Sequence, residues 1–306
     1  MKFLIVTSHR YSGGELVLRL LCELLSQKGY DAKILPLHGN YVRRKVSIPK
    51  LFLIRSLAML HMVARKFLVK IGIKEEVFES LKCKEKILPI VSKDTIVVYP
   101  EIVYGNPLRS KKVVRWYLFH NRYPGDLDAC GRDDLIFCYR EHFNDYKLNP
   151  TCRLLNLKFF DKNLYKQTNF GEHSGKCYIV RKGKNRADLP EKFDGPIIDH
   201  LPEKEKVEVL NRCKYCYDYD TQTFYSTIAA VCGCIPIVVM EPGKTKADYL
   251  GDGDDDWGRA YGDSPEEIEY AIKTRQQCLQ MLDFEESNQK NVDFFIKTVS
   301  EYFAEK

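Results

Sequence analysis

Residues 2–37 read KFLIVT-SHRYSGG-ELVLRLLCELLSQKG-Y-DAKILPL, and this opening decides the fold class. Lys2–Thr7 is a short apolar run, as expected of a parallel strand buried on both faces. Ser8–Gly14 is rich in turn formers. Apolar residues then recur every three or four positions up to Gly29, which predicts a helix with a glycine stop. Asp31–Leu37 is a second strand. A strand, loop, helix and strand in that order open a doubly wound α/β domain.

The remaining chain extends the pattern. Residues 47–73 predict a long helix that is both apolar and basic. Strands are expected at Asp94–Pro100, Lys112–Phe119 and Asp134–Tyr139, with strand–helix alternation running to about residue 150. Residues 151–175 break the alternation, and a second series follows. Strands are expected within 176–184, 195–201, 214–218 and 235–240. Helices are expected at 202–213, after Pro202, at 221–233, and at 264–282 behind Ser264, Pro265 and an acidic first turn. A final helix is expected over roughly 284–303. The division is therefore an N-terminal domain, 1–160, and a C-terminal domain, 161–306. In such sheets ligands sit beyond the carboxyl ends of the strands.

Composition narrows the function classes. The 306 residues suit two domains, and the net charge is +6. Nine Lys and Arg fall within residues 41–74, where there is no Asp or Glu. A basic segment of that kind expects an anionic partner. No nucleic-acid-binding motif accompanies it, so nucleic acid is not the expected partner. No secretory leader is expected from Lys2–Val6, and no uncharged stretch is long enough to span a membrane. Eleven cysteines, an odd number spread through core-like segments, fit reduced thiols in a cytosolic protein.

The densest chemistry lies at residues 217–239, YDYDTQTFYSTIAAVCGCIPIVV. Cys213, Cys216, Cys232 and Cys234 loosely suggest a zinc ribbon, but the second pair has the wrong spacing, and small buried thiols are the preferred reading. The polar entrance Asp218–Thr223 precedes a helix whose first N–H groups can receive a phosphate. Thr221 and Thr223 add hydroxyl donors. Asp218 or Asp220 can accept from ribose or sugar hydroxyls; N-capping by Asp220 or Thr221 explains the same residues. Residues 251–257, GDGDDDW, lack the closing Glu of an EF-hand and read as a solvated loop.

These residues carry a resemblance. DYDTQTFYSTIAAVCGCIPIVV is similar to the carboxy-domain signature of GT-B fold glycosyltransferases, and WGRAYGDSPEEIEYAI and YIVRKGKNR resemble neighbouring elements of that superfamily. VVYPEIVYGNPLRSKKVVRWYLFHN resembles the amino domain of bacterial surface-polysaccharide glycosyltransferases. The resemblance implies two Rossmann-like domains facing across a cleft, with the C-terminal helix able to return to the first domain. It implies a nucleotide-sugar donor, a glycan or lipid-linked acceptor, and no bound metal or other cofactor. Arg181, Lys182 and Lys184 would then neutralise the donor diphosphate, and Asp218, Asp220, Thr221 and Thr223 would line the donor pocket. The glutamate pair of many retaining members is absent: its positions fall on Asp220 and Ile228, so Asp220 is the candidate replacement for the first.

Candidate acceptor-side residues follow the N-terminal strands. Glu101, His120 and His9 can serve as the base that an inverting transfer requires. Arg10 and Arg122 can meet an acceptor phosphate, and Gly13 and Gly14 allow close backbone approach. The segment 41–74 can rest on an anionic membrane surface on the cytoplasmic side. The competing readings are a sugar-nucleotide epimerase of the same fold and a non-catalytic basic protein that binds membranes or nucleic acid.

Overall fold

The structure of the chain, a computed structural model, describes residues 1–8, 12–38, 44–71, 81–221, 223–250 and 255–304. It forms two compact units. The first comprises Met1–Phe159 with Phe284–Lys306, and the second Phe160–Asp283.

In the first unit, strands β1 (Lys2–Thr7), β2 (Asp31–Pro36), β3 (Thr95–Pro100), β4 (Lys112–Tyr117) and β5 (Leu135–Cys138) form a parallel sheet in the order β2-β1-β3-β4-β5. All six residues of β3 are buried, which is why the run TIVVYP needs no polar alternation. Helix α1 (Gly13–Gln27) starts at Ser12, whose side chain accepts the Glu15 N–H, and ends at Gly29 with φ +85°. Helix α2 spans Ile48–Lys70. Its buried Arg55 donates to the Pro36, Lys86 and Ile87 carbonyls and so fastens the helix beside β2.

The expected strand–helix alternation stops at β3. Among the described residues no α-helix joins β3 to β4 or β4 to β5; only a short 3-10 turn, Glu141–Phe143, follows β5. The connecting segments are held by side chains instead. Buried Arg115 pairs with Asp134 at 2.6 Å and donates to the Val103 and Gly105 carbonyls. Asn106 accepts from Tyr99 Oη and the Ser110 N–H and donates to the Ser110 carbonyl. These bonds supply the backbone partners that a helix would have provided internally.

The second unit is a parallel sheet of β6 (Lys176–Ile179), β7 (Tyr215–Asp218), β8 (Ile235–Val238) and β9 (Ala260–Tyr261), in that order. Its helices are α3 (Glu203–Arg212), α4 (Tyr225–Val231), α5 (Pro265–Lys273) and α6 (Arg275–Met281). Three sequence expectations change here. The strand expected at 195–201 is reduced to one parallel bridge, Tyr178 to Ile197. The helix expected from residue 221 begins at Tyr225. The helix expected over 264–282 breaks at Thr274, whose hydroxyl bonds to the Tyr270 carbonyl and accepts the Gly258 N–H.

Helix α7 (Glu285–Ala304) belongs to the first unit, the return that the resemblance allows the C-terminal helix, although the division at residue 160 counts it with the second domain. Val292, Phe295, Val299 and Phe303 enter the core beside Phe3 and Phe137. Asn288 and Asn291 bind the backbone of Asn156 and Lys158.

Candidate functional site

In the second unit the chain leaves β6, bridges it on one side through Ile197, and returns to the other side as β7. The carboxyl ends of β6 and β7 therefore flank a topological switch point. Six predicted donor-side residues, Arg181, Lys182, Lys184, Asp220, Thr221 and Thr223, lie on the two loops that start there.

The loop after β6 is a 3-10 turn, Arg181–Asn185. Arg181 has φ +26°, a conformation that costs free energy in a non-glycine residue. Asp199 holds it: its Oδ2 accepts the Val180 N–H at 3.0 Å and the Arg181 N–H at 2.7 Å. Gly183 is buried against the next loop, and a Cβ there would meet the Tyr219 carbonyl oxygen at 2.3 Å. Arg186 binds Asp188 through two bonds and donates to the carbonyls of Tyr219, Val239 and Met240. One guanidinium thus ties together the loops after β6, β7 and β8. Lys182 and Lys184 are exposed beside this fixed frame.

The loop after β7 carries the acids. Asp218 is fully buried; it accepts the Asp220 N–H at 2.8 Å and bonds to Ser226 Oγ. Burial holds its carboxyl well above the usual range, and Asp220 and Asp199 add repulsion. Asp218, expected to receive ligand hydroxyls, is thus buried and has both carboxylate oxygens engaged within the loop and α4. Asp220 is different. It is 3% exposed, yet its Oδ2 has no hydrogen-bond partner. Its nearest cation is Arg181, with Nε 4.0 Å away. Asp199 Oδ1 is likewise buried and without a partner. Orphaned buried acceptors are uncommon and call for a donor.

The later start of α4 changes the roles of the threonines. Phe224 is the cap residue and makes no side-chain cap, while Thr223 Oγ1 accepts the Tyr225 N–H. Thr221 is partly exposed in the loop. The first free N–H groups of α4 therefore lie just beyond the polar entrance Asp218–Thr223. What borders the site is Tyr225, whose ring faces the Arg181 guanidinium at 5.6 Å and Lys206 Nζ at 4.6 Å. Its hydroxyl donates to Glu203, which also accepts from Lys206 and Tyr165. Burial raises the Glu203 carboxyl, but these three bonds outweigh it and hold the group below its ordinary range.

The cysteines lie elsewhere. Cys177, Cys213, Cys216, Cys232 and Cys234 are buried in one apolar core. The Cys177 thiol and burial push Cys216 up, so it is a protonated packing group. Among the described residues no three His, Cys, Asp or Glu are arranged to hold a metal ion. A cavity of about 180 Å³ lies near the start of β8, away from the strand ends, lined by Gln167, Gly233, Pro236 and Arg275. Arg275 there donates to the Ala230 and Val231 carbonyls and so closes the end of α4.

In the first unit the switch point lies between β1 and β3. Glu101 directly follows β3, and its Oε2 accepts the Leu118 N–H at 3.0 Å. Burial raises its carboxyl above the ordinary range, against backbone N–H donors and Arg122. His120 is exposed two residues beyond Leu118, its ring against Phe119, His142 and Phe143. Arg122 is exposed. A Cβ on Gly14 would meet the end of the Leu118 side chain at 3.3 Å, a tight contact, whereas Gly13 faces open space. His9 and Arg10 lie outside the described residues, as do 251–254 of the acidic loop and parts of the basic segment, 41–43 and 72–74.

Sequence reasoning missed Asp199, Arg186 and Glu15. Asp199 and Arg186 sit at the end of an expected strand and of the basic loop, which was the available signal. Glu15, in the first turn of α1, is buried, accepts the Ser8 N–H and pairs with Arg19 at 3.0 Å. Burial raises its carboxyl.

No protein-family model matches this chain, and no curated protein does. Among solved structures, the glycosyltransferase of kitacinnamycin is similar at 10% identity and a TM-score of 0.30, covering 98% of this chain and 94% of that one. That likeness is too slight to argue from.

Proposed function

We propose that this chain is a glycosyltransferase of GT-B type that takes a sugar from a nucleotide-sugar donor to a glycan or lipid-linked acceptor, as in bacterial surface-polysaccharide synthesis. The observation that carries the reading is the pair of buried carboxylate oxygens that accept no hydrogen bond, Asp220 Oδ2 and Asp199 Oδ1, beside Arg181 at a switch point. Buried acceptors beside an exposed cluster of cations suit a ligand that joins hydroxyl groups to phosphates, which describes a nucleotide sugar. Asp220 takes donor hydroxyls. Arg181, Lys182 and Lys184 meet the diphosphate and stabilise the charge that develops as it leaves. Asp218 keeps the loop in place without touching the ligand. In the first unit Glu101, kept basic enough by burial, removes the acceptor hydroxyl proton. No metal or other cofactor has a part in this scheme.

The test is product analysis with a panel of labelled nucleotide sugars. Slow release of free sugar and nucleotide without acceptor, accelerated by an oligosaccharide or polyprenyl-phosphate glycan, is expected. Asp220→Asn should lower kcat/KM by about 10–100-fold, the scale of one lost charged hydrogen bond. Conversion of a nucleotide sugar to its isomer, with the diphosphate intact, would identify an epimerase instead. No turnover of any member would remove the enzyme reading.

A further inference from the structure

Helix α2 has two apolar faces. One is ordinary: Leu51, Ile54 and Ala58 are buried against the sheet, with Arg55 held between them by three carbonyls. On the opposite side Leu53, Leu57, Leu60, Val63, Phe67 and Ile71 recur at helical spacing, and all are exposed. Leu60 is 67% exposed and Phe67 62%. The loop that Arg55 fastens to the helix adds exposed Ile87, Leu88 and Ile90. The outer side of α2 is thus a solvent-facing apolar stripe. Exposed Lys50, Lys66 and Lys70 flank it, and residues 44–71 contain no acid.

A helix apolar on both sides needs a second apolar phase. A protein with a like-charged surface would be repelled by the flanking lysines, and a second copy of this chain is such a partner. No described helix is long and apolar enough to cross a membrane. We infer that the outer face of α2 lies in the interface of an anionic phospholipid membrane. The Leu, Val, Phe and Ile side chains enter the headgroup–acyl boundary, and Lys50, Lys66 and Lys70 reach the phosphates. Most of the affinity is apolar, so binding weakens with salt but is not abolished by it.

The full chain is pelleted with vesicles of phosphatidylcholine alone or with phosphatidylglycerol added. Strong pelleting with the anionic vesicles is expected. Leu60→Gln with Phe67→Gln should weaken it at least ~10-fold, from two partly buried apolar side chains. Lys66→Gln with Lys70→Gln should weaken it about 10-fold on anionic vesicles and little on neutral ones. These side chains are exposed, so melting temperatures should not move. Absence of pelleting, or L60Q/F67Q binding like the parent, overturns the inference. So does a lipid-free dimer, seen by sedimentation velocity, that L60Q/F67Q dissociates. None of these readings depends on nucleotide, so the inference and the enzyme assignment fail separately.

Discussion

Gly183→Ala tests whether the loop after β6 is a fixed frame. The added Cβ would stand 2.3 Å from the Tyr219 carbonyl oxygen and 2.8 Å from its carbon. That oxygen is more than 1 Å inside the about 3.5 Å at which non-bonded heavy atoms settle. The obstacle is backbone, and Arg186 holds Tyr219 and the neighbouring loops, so no side chain can rotate away. Overpacking of this kind costs about 1–3 kcal/mol. For a unit spanning residues 160–283 that amounts to roughly 3–5 °C per kcal/mol. Relief by moving the loop carries Arg181 away from Asp220, so nucleotide affinity should fall at least ~10-fold. The assay is thermal unfolding followed by calorimetric titration with nucleoside diphosphates. Gly13→Ala is the control, because its Cβ meets nothing within 4 Å; it should change neither property. A Gly183→Ala protein that melts within about 1 °C of the parent and binds nucleotide equally would refute the reasoning.

Two further outcomes follow from buried carboxylates. The raised Asp218 carboxyl binds its proton more tightly folded than unfolded, so its contribution is full below the unfolded range, about pH 4, and is lost as pH rises through the folded value. Asp218→Asn should remove that slope in urea titrations across pH while keeping the fold, and Asp218→Ala should cost about 2–4 kcal/mol by stranding the Asp220 N–H and Ser226 hydroxyl. An Asp218→Asn protein with the parent's pH slope would contradict the assignment. Glu101→Gln should cut kcat by about 10²–10⁴-fold and erase an acid limb lying above the ordinary glutamate range; a kcat within about threefold of the parent would leave Glu101 only as the partner of the Leu118 N–H.

The alternating fold was legible where local signals agree. Apolar runs such as TIVVYP and the Gly29 stop point the same way. It was not legible between β3 and β5, because Arg115, Asn106 and Asp134 satisfy the connecting backbone through partners distant in sequence. The site was legible as loops after strands, not as roles. Asp218 and Asp220 are two residues apart and chemically alike. Only the packing of Ser226 against Asp218 decides that one has its acceptors filled while the other keeps an oxygen that accepts no hydrogen bond. The outward face of α2 was hidden for a similar reason. A sequence window that is apolar all round does not say which side the core takes.

The central claim is that the β6–β7 switch point holds a nucleotide sugar. The direct measurement is the melting temperature of the parent chain, and of Arg181→Ala with Lys184→Ala, against UDP, GDP, dTDP and CMP. A ligand at about 100 times its Kd stabilises the folded protein by about 2.7 kcal/mol. The account predicts an upward shift with at least one nucleotide and its loss in the double variant. No shift with any of them, or a shift that survives the double variant, would contradict it.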